Sequence, residues 1–349
     1  MLTASFEGPP FERGYQRGRR FASEIRESIH TFCPDRWLSA PEVKELERRL
    51  LTSVAARYPE MIVEMAGIGK GAGIDFDQIT LLNLVLATND LSSGDVSRTF
   101  KLACSAIGFA DAGAGPIVGK NCDETPAAAP FYLLETVYPE DGLAYTCISW
   151  TGTLWAEAGM NEAGLAFMQT AGPLVPDQDG YGIVCNIAPR PLLEHCRTVP
   201  SAVSMLAEMT VAGWGMGMVL ADARGNVVAV EKSYTSQAVR PAADGVAFCT
   251  NHFVEPAMSH TVPIAHEGLV PNSEARYRTL TKLFAERAWP HTPDGLQKAL
   301  GYHGEEGFVC QHGDAGLHTN YSCIAIPRLR QIWLGDGYPC EGRYTVHQL

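Results

Sequence analysis

Cys104 is the residue of this sequence best placed to act as a nucleophile. It opens the first predicted strand, directly after residues 1–103, whose pattern is mostly helical, so its thiol would point from the end of a sheet toward whatever covers that end. A cysteine is more often a small apolar residue of a core. A thiol also needs a nearby base or a lowered pKa before it attacks an amide. The interpretation therefore depends on the neighbours that the fold brings to Cys104.

Three polar groups follow Cys104 along the chain and supply candidate partners. Residues 119–123 read Gly-Lys-Asn-Cys-Asp and end on Asp123, residues 250–252 read Thr-Asn-His around Asn251, and Arg276 lies in a predicted helix. Taken singly, each has a plainer reading: Asp123 as a turn residue, Asn251 as a loop cap and Arg276 as a solvated helix residue. Their order along the chain is the informative feature.

The remaining cysteines and histidines form no recognisable metal motif. No CxxC pair occurs, and Cys310-Gln311-His312, with His303 and His318 on either side, has the spacing of neither a zinc ribbon nor a Cys2His2 finger. We therefore expect no metal. The chemistry suggested by Cys104 needs no cofactor either.

Composition limits the possible partners. The chain carries 27 basic and 39 acidic residues, a net charge of −12, which disfavours binding to nucleic acid or to an anionic membrane. No apolar stretch reaches the roughly 20 residues of a membrane-spanning helix, and residues 1–14 lack the pattern of a secretion signal. We expect a cytoplasmic protein with a small-molecule substrate, and we expect its ten cysteines to be free thiols. The sequence does not indicate an oligomeric state.

The periodicity of apolar residues predicts an α+β fold. Residues 10–32 and 41–58 have the 3.6-residue period of helices, and after Lys101 the period changes to that of short strands separated by turns. A further helix is predicted at residues 272–288, with Asn272 or Ser273 as its N-cap. The predicted strands cover residues 104–110, 116–120, 131–138, 143–150, 165–170, 217–221, 227–232, 246–250, 322–326 and 331–334. Strands in blocks, with helices grouped between them, favour one layered domain over an alternating βαβ fold.

The ordered set of motifs resembles the penicillin acyltransferase branch of the N-terminal-nucleophile hydrolases, which are related to choloylglycine hydrolases and penicillin V acylases. The matching positions are Cys104, the tetrad 120–123, the turn 159–165, residues 250–252, and the segments 8–15, 273–278 and 310–312. The resemblance implies a four-layer αββα sandwich of two antiparallel sheets. It also implies a precursor that cuts itself between Ala103 and Cys104, so that residues 1–103 become a small subunit and residues 104–349 a large one, together forming one domain.

The resemblance assigns a role to each candidate residue. Cys104 would be the nucleophile, and its freed α-amine, with a pKa near 8, would be the base. Asp123 would hold that amine, Asn251 would donate to the oxyanion, and Arg276 would lower the pKa of the thiol. The implied activity is hydrolysis or transfer at a linear, non-peptide amide bond of an N-acyl compound through a thioester.

Two alternatives remain open at this stage. One is a papain-like cysteine hydrolase that uses His252 or His312 as its base and needs no cleavage. The other is an inactive binding protein that keeps the fold. The chain also departs from the family pattern, with Cys122 or Glu124 where an aromatic residue is common and Gln311 where a basic one is common, so we leave the substrate-binding residues unassigned.

Overall fold

The structure is a computed structural model that describes residues 1–88, 102–174, 181–259, 269–304, 307–313 and 316–349. Within these ranges the helices are α1 (Pro10–Arg20), α2 (Ala22–Phe32), α3 (Pro41–Arg57), α4 (Pro59–Ala72), α5 (Phe76–Thr88), α6 (Arg190–His195), α7 (Val199–Ala207), α8 (Leu269–Ala285) and α9 (Pro293–Leu300). The predicted change of period at Lys101 lies outside the described residues. In the part of the chain that is described, no helix combines the length and hydropathy needed to cross a membrane.

The strands form two large sheets and two short pairs. The larger sheet has the order β1-β4-β5-β6-β7-β10-β11-β12, the smaller sheet has the order β13-β2-β3-β16-β17-β18, and the pairs are β8-β9 and β14-β15. The strands are β1 (Leu2–Gly8), β2 (Leu102–Phe109), β3 (Ile117–Glu124), β4 (Tyr132–Pro139), β5 (Tyr145–Trp150), β6 (Ala158–Asn161), β7 (Leu165–Leu174), β8 (Ile183–Val184), β9 (Val211–Ala212), β10 (Trp214–Asp222), β11 (Val227–Ser233), β12 (Ser236–Pro241), β13 (Val246–Cys249), β14 (His303–Gly304), β15 (Gly307–Phe308), β16 (His318–Ile326), β17 (Gln331–Gly335) and β18 (Tyr344–Gln348).

The two large sheets pack face to face between layers of helices. Strands β2 and β3 of the smaller sheet contact β7 and β10 of the larger one, α6 and α7 cover the far side of the larger sheet, and α8 and α9 cover the far side of the smaller sheet. Alternation along β2 separates two cores, since Ala106 joins the core between the sheets and Ile107 joins the core under α8 and α9. The predicted four-layer αββα fold is confirmed.

Two predictions about helices are wrong. Residues 10–32 form α1 and α2 with a break at Phe21, which has a φ of −118° and a ψ of 29°; the bend allows α1 to pack on α4 while α2 packs on α5. The helix predicted at 272–288 already includes Leu269, so neither Asn272 nor Ser273 is its N-cap. Their side chains instead bond to Arg276 and to the loop after β13.

The larger sheet is not wholly antiparallel. Its edge strand β1, which the sequence pattern did not reveal, runs parallel to β4, with Leu2 opposite Leu133 and Gly8 opposite Pro139. Only Phe6 of β1 is fully buried, so the apolar alternation that identifies a strand is weak there. The strands β12 and β18 were missed for the same reason, because both are edge strands with largely exposed side chains.

Glycines set the contact between α1 and α4. A Cβ at Gly67 of α4 would lie 2.2 Å from the carbonyl oxygen of Phe11, and one at Gly14 of α1 would lie 2.1 Å from the carbonyl oxygen of Glu64. At this close approach, Arg13 and Arg17 of α1 each reach the buried carboxylate of Glu64 at 2.8 Å. The motif at residues 8–15 therefore fixes a helix pair and its buried charges.

We predict that Gly67→Ala destabilises the protein by on the order of 1–3 kcal/mol, because the helix backbones must move apart and weaken the Glu64 ion pairs. Denaturant unfolding monitored by circular dichroism measures this free energy. The matched control is Val63→Ala, which changes an exposed residue of the same helix and should alter stability by less than about 0.5 kcal/mol. Equal effects of the two substitutions would contradict the close-packing account.

Candidate active site

Strands β2 and β3 place the candidate nucleophile. Cys104 lies directly opposite Cys122 in the antiparallel pair, so both side chains share the face between the two sheets, and Cys104 is only 5% exposed. The next residues on each strand, Ser105 and Asp123, point to the other face, toward α8 and α9. The thiol and the candidate carboxylate therefore lie on opposite sides of one sheet and flank the Ala103-Cys104 peptide bond.

The backbone of Cys104 is held by two of the predicted site residues. Its N–H donates to Oδ1 of Asn251 at 2.7 Å, and its carbonyl oxygen accepts from Nη1 of Arg276. Arg276 also donates to Asn251 Oδ1 through Nη2 at 2.8 Å and to the hydroxyl of Ser105 at 2.8 Å. The structure thus brings together Cys104, Asn251 and Arg276, although Cys104 and Arg276 are 172 residues apart in the sequence.

Asn251 forms two further hydrogen bonds. Its Nδ2 donates to the carbonyl oxygen of Ala171 at 2.8 Å, and its backbone N–H donates to Oγ of Ser273 at 2.7 Å. A side-chain amide nitrogen carries two N–H groups, and among the described residues only Ala171 takes one of them. The second N–H has no acceptor among the described residues, which is compatible with the predicted role of an oxyanion donor.

Asp123 is buried beside the peptide bond that the sequence predicts to be cut. It pairs with Ala103 across the β2-β3 ladder, and its Oδ1 accepts a hydrogen bond from the hydroxyl of Thr319. Its Oδ2 is buried and has no hydrogen-bond partner among the described residues. Burial raises the pKa of Asp123 to about 7, although the charge of Arg276 and the Thr319 hydrogen bond act in the opposite direction. No hydrogen bond joins Asp123 to Cys104 in the described, uncut chain.

The surroundings of Cys104 favour its thiolate form. A hydrogen bond from the Cys122 thiol lowers the pKa of Cys104, burial and the charge of Glu157 raise it, and the cations Lys120 and Arg276 lower it further; the net shift is downward. The pKa of Cys122, which gives the hydrogen bond and is itself buried, rises instead.

A buried polar cluster around Cys122 was missed by the sequence analysis. The hydroxyl of Tyr321 donates to Oε2 of Glu157 at 2.8 Å, Cys122 contacts the same oxygen at 3.5 Å, and Lys120 Nζ lies 3.9 Å from it. The hydroxyl of Tyr132 hydrogen-bonds to Glu124, whose pKa burial raises well above its usual range. One signal was present in the sequence, since Glu157 is an acidic residue among the apolar residues 154–158.

The two histidines of the papain-like alternative lie elsewhere. The Nδ1 atom of His252 is 2.8 Å from Oγ of Ser273 and 3.2 Å from Oγ1 of Thr250, and burial lowers the pKa of His252. His312 contacts the thiols of Cys310 and Cys340. Neither histidine forms a hydrogen bond with Cys104 among the described residues, so the geometry gives no histidine base for this sulfur.

A large cavity of the described residues does not coincide with the site. That cavity, of about 1020 Å³, lies between β13 and α8, and Phe248, Tyr277 and Trp289 line it, whereas Cys104 does not. Together with the 5% exposure of Cys104, this leaves the substrate-binding residues unassigned.

A cysteine near the start of a strand in an αββα sandwich, with its backbone N–H and carbonyl oxygen held by side chains, is an arrangement that fits the class of N-terminal-nucleophile hydrolases. Within that class, the chain belongs to the acyl-coenzyme A:6-aminopenicillanic acid acyltransferase family, whose sequence pattern matches residues 111–296. The matched region contains Asp123, Asn251 and Arg276 and begins after Cys104. The resemblance noted from the sequence is confirmed.

Several solved structures are similar at low sequence identity. A mutant of the conjugated bile acid hydrolase from Clostridium perfringens is 12% identical, with a TM-score of 0.45, over 71% of this chain and 92% of that one. Penicillin V acylase from Agrobacterium tumefaciens is 14% identical, with a TM-score of 0.41, over 67% and 83%. The Caenorhabditis elegans ortholog of N-acylethanolamine-hydrolyzing acid amidase is 13% identical, with a TM-score of 0.46, over 65% and 94%. No curated protein sequence matches the chain.

The pKa of Asp123 predicts how the stability of the intact chain depends on pH. Because the folded-state pKa is raised to about 7, the folded chain binds this proton more tightly than the unfolded chain, and stability falls as the pH rises from about 4 to about 7. In a Cys104→Ala background, which lacks the candidate nucleophile, Asp123→Asn should remove this loss. We expect the free energy of unfolding of the variant, relative to that of its parent, to be about 2–4 kcal/mol higher at pH 8 than at pH 4.5.

Urea unfolding at several pH values measures this difference. Asp294→Asn is the control, because Asp294 is exposed on α9 and paired with Lys298; its effect should vary by less than about 0.5 kcal/mol over the same range. A pH-independent effect of Asp123→Asn would mean that Asp123 is ionised normally in the folded chain.

Proposed function

We propose that the chain cuts itself between Ala103 and Cys104 and then acts as a cysteine amidohydrolase or acyltransferase on small N-acyl compounds. The observation that carries this proposal is the double anchoring of the Cys104 backbone, with its N–H on Asn251 and its carbonyl oxygen on Arg276. A backbone amine released at this point would already lie among fixed polar groups. The alternative with a histidine base has no corresponding contact among the described residues.

The cleavage step uses the thiol of Cys104. The thiolate attacks the carbonyl carbon of Ala103, the C–N bond breaks as the nitrogen takes up a proton, and the acyl group passes to sulfur as a thioester. Water then hydrolyses the thioester, leaving a carboxylate on Ala103 and a free α-amine on Cys104. The lowered pKa of the thiol supports the first step. The unpartnered Oδ2 of Asp123 supports the outcome, since a new ammonium group would give this buried oxygen a donor.

Turnover repeats the same chemistry on a substrate. The α-amine of Cys104 accepts the thiol proton, and the thiolate attacks the carbonyl carbon of an N-acyl substrate. The second N–H of Asn251 stabilises the oxyanion, a contribution typically worth about 2.7–4 kcal/mol. As the intermediate collapses, the C–N bond breaks, the leaving nitrogen takes the proton from the α-ammonium of Cys104, and the acyl group stays on Cys104 as a thioester. Water or another amine then takes the acyl group, which makes the enzyme a hydrolase or a transferase.

Residues 1–103 and 104–349 would stay together as one domain after cleavage. Strand β1 pairs with β4 over seven residues, and Arg17 of α1 forms a fully buried ion pair with Glu135 of β4. In addition, Asn83 of α5 donates to the carbonyl oxygen of Gly152 and accepts from the N–H of Leu154. Separating the pieces would leave these charges and polar groups without their partners.

We predict that the purified protein yields a fragment beginning Cys-Ser-Ala-Ile-Gly and that Cys104→Ala yields only the intact 37.8 kDa chain. N-terminal sequencing and intact mass spectrometry measure this directly. The two fragments should elute together in native gel filtration and separate in denaturing electrophoresis. Cys196→Ala is the matched control, because it removes a buried thiol remote from β2 and should leave cleavage unchanged.

Activity is then assayed with penicillins, N-acyl amino acids and N-acyl β-alanyl amines, and with an acyl-coenzyme A in the presence of 6-aminopenicillanic acid for the transfer reaction. An uncut chain that is fully active would overturn the mechanism and favour a papain-like hydrolase. A chain that binds such compounds without turnover, and binds them equally well as Cys104→Ser, would favour an inactive binding protein.

We predict that Asn251→Ala lowers kcat by about 10²–10³-fold per mole of cleaved enzyme, because the oxyanion loses a donor and Cys104 loses an anchor. Asn226→Ala, in the hairpin between β10 and β11 where its amide bonds to Asp222, should leave kcat unchanged. Steady-state kinetics on the cleaved fraction of each variant gives kcat and KM separately. A change confined to KM would show that Asn251 binds the ground state instead.

A further inference from the structure

Four side chains with metal-ligating atoms converge near the C-terminal end of the chain. His303, Cys310, His312 and Cys340 each present one ligand atom, and these atoms all lie within 4.8 Å of one another. The Sγ atoms of Cys310 and Cys340 lie 3.2 Å and 3.4 Å from Nε2 of His312, and the rings of His303 and His312 have centroids 4.7 Å apart. The cluster is separate from Cys104 and from the residues that hold it.

The donor set and its spacing match a tetrahedral metal. Zinc binds thiolate sulfur at about 2.3 Å and imidazole nitrogen at about 2.0–2.1 Å, so neighbouring ligand atoms of a zinc tetrahedron lie about 3.3–3.8 Å apart. The two sulfur-nitrogen distances of 3.2 Å and 3.4 Å are close to that range before any ion draws the ligands together. Two thiolates and two imidazoles form one of the usual ligand sets of structural zinc, and they disfavour the hard cations Ca²⁺ and Mg²⁺.

The surroundings supply what a zinc site needs beyond its ligands. The ring of Tyr338 stacks on His312 at 3.9 Å between centroids, and its hydroxyl lies 3.0 Å from Nδ1 of His318, so the orientation of the imidazole is fixed from outside. Cys310 is buried while the other three ligands are exposed, which leaves an entry path for the ion.

The four ligands come from three separate segments: β14, the stretch after β15, and the turn Pro339–Glu341. The sequence spacing concealed this arrangement, because Cys340 follows His312 by 28 residues. A metal at this point would cross-link these three segments close to Thr319, the residue that hydrogen-bonds to Asp123. The N–H of Gln311, between two of the ligands, donates to Oγ1 of Thr319 at 2.9 Å, and that hydroxyl in turn hydrogen-bonds to Asp123.

We propose that His303, Cys310, His312 and Cys340 bind one structural Zn²⁺ ion, which holds residues 307–313 against β16 and the C-terminal turn. This proposal replaces the expectation of no metal that the spacing of the motifs suggested. It is independent of the proposed enzymatic activity, because metal content is measured whether or not the chain is cleaved or active.

The test compares the full chain with variants at two exposed ligands. Wild type, Cys340→Ser, His303→Gln and the control His195→Gln, an exposed histidine of α6 outside the cluster, are incubated with ZnSO₄ and desalted. Zinc is then measured by mass spectrometry of the metal. We expect about one zinc per chain in wild type and in the control, and a loss of affinity of roughly tenfold or more in each ligand variant. Co²⁺ in place of Zn²⁺ should give wild type the visible absorption of a tetrahedral thiolate site, which Cys340→Ser should lack.

Three outcomes would overturn the proposal. They are a wild-type protein that retains no zinc, ligand variants that retain as much zinc as wild type, and an intact mass of freshly purified protein that reveals a Cys310-Cys340 disulfide in place of free thiols. Circular dichroism confirms the fold of each variant. A wild-type protein without zinc overturns the proposal by itself, so the test still decides if a variant misfolds.

Discussion

The site depends on one buried cation, the guanidinium of Arg276. It is fully buried, and burial lowers its pKa, yet an arginine remains charged at any working pH. Its nitrogens reach the carbonyl oxygen of Cys104, the side chain of Asn251 and the hydroxyl of Ser105. One side chain of α8 thereby ties together β2 and the loop after β13. A positive charge held here also favours anions at Asp123 and at the Cys104 sulfur, which are the two groups that the proposed chemistry ionises.

Side chains alternate between the two faces of β2 and β3, so the thiol of Cys104 and the candidate carboxylate have different surroundings. Cys104 and Cys122 share the face between the sheets, together with Lys120 and Glu157, whereas Ser105 and Asp123 share the face under α8. The pKa of the Cys104 thiol is therefore shifted by groups on one face of the sheet, and the Cys104 backbone is hydrogen-bonded by groups on the other face. An ordinary core cysteine would have only the first environment. Cys104 has both environments because it lies near the start of β2, beyond the last residue of β2 that pairs with β13. The side chain of Asn251 accepts the hydrogen bond from the Cys104 N–H in place of a β13 residue.

The sequence predicted the layers and four candidate site residues, Cys104, Asp123, Asn251 and Arg276, but not the contacts that connect them. Cys104, Asn251 and Arg276 could be identified because their motifs have a recognisable order, yet only folding reveals that Asn251 binds the N–H of Cys104 and Arg276 its carbonyl oxygen. Glu157 was missed because no motif surrounds it. The edge strand β1 was missed because only Phe6 is fully buried. Cys340 was missed because a metal motif is recognised by short spacing, and this ligand comes from a turn that packs against the others only in the folded chain.

Buried charges of the N-terminal helices α1 and α4 are paired with residues from the rest of the domain. Burial raises the pKa of Glu64, but Arg190, Arg17 and Arg13 lower it further, so the carboxylate stays ionised in the interior. Arg190 belongs to α6, which follows Cys104 in the sequence, whereas α1 and α4 precede it. Its guanidinium donates to both carboxylate oxygens of Glu64. Removing one partner from such a buried network leaves an uncompensated charge, at a cost of about 3–5 kcal/mol. The network would therefore preserve the fold around Cys104 if the proposed cleavage broke the Ala103-Cys104 peptide bond.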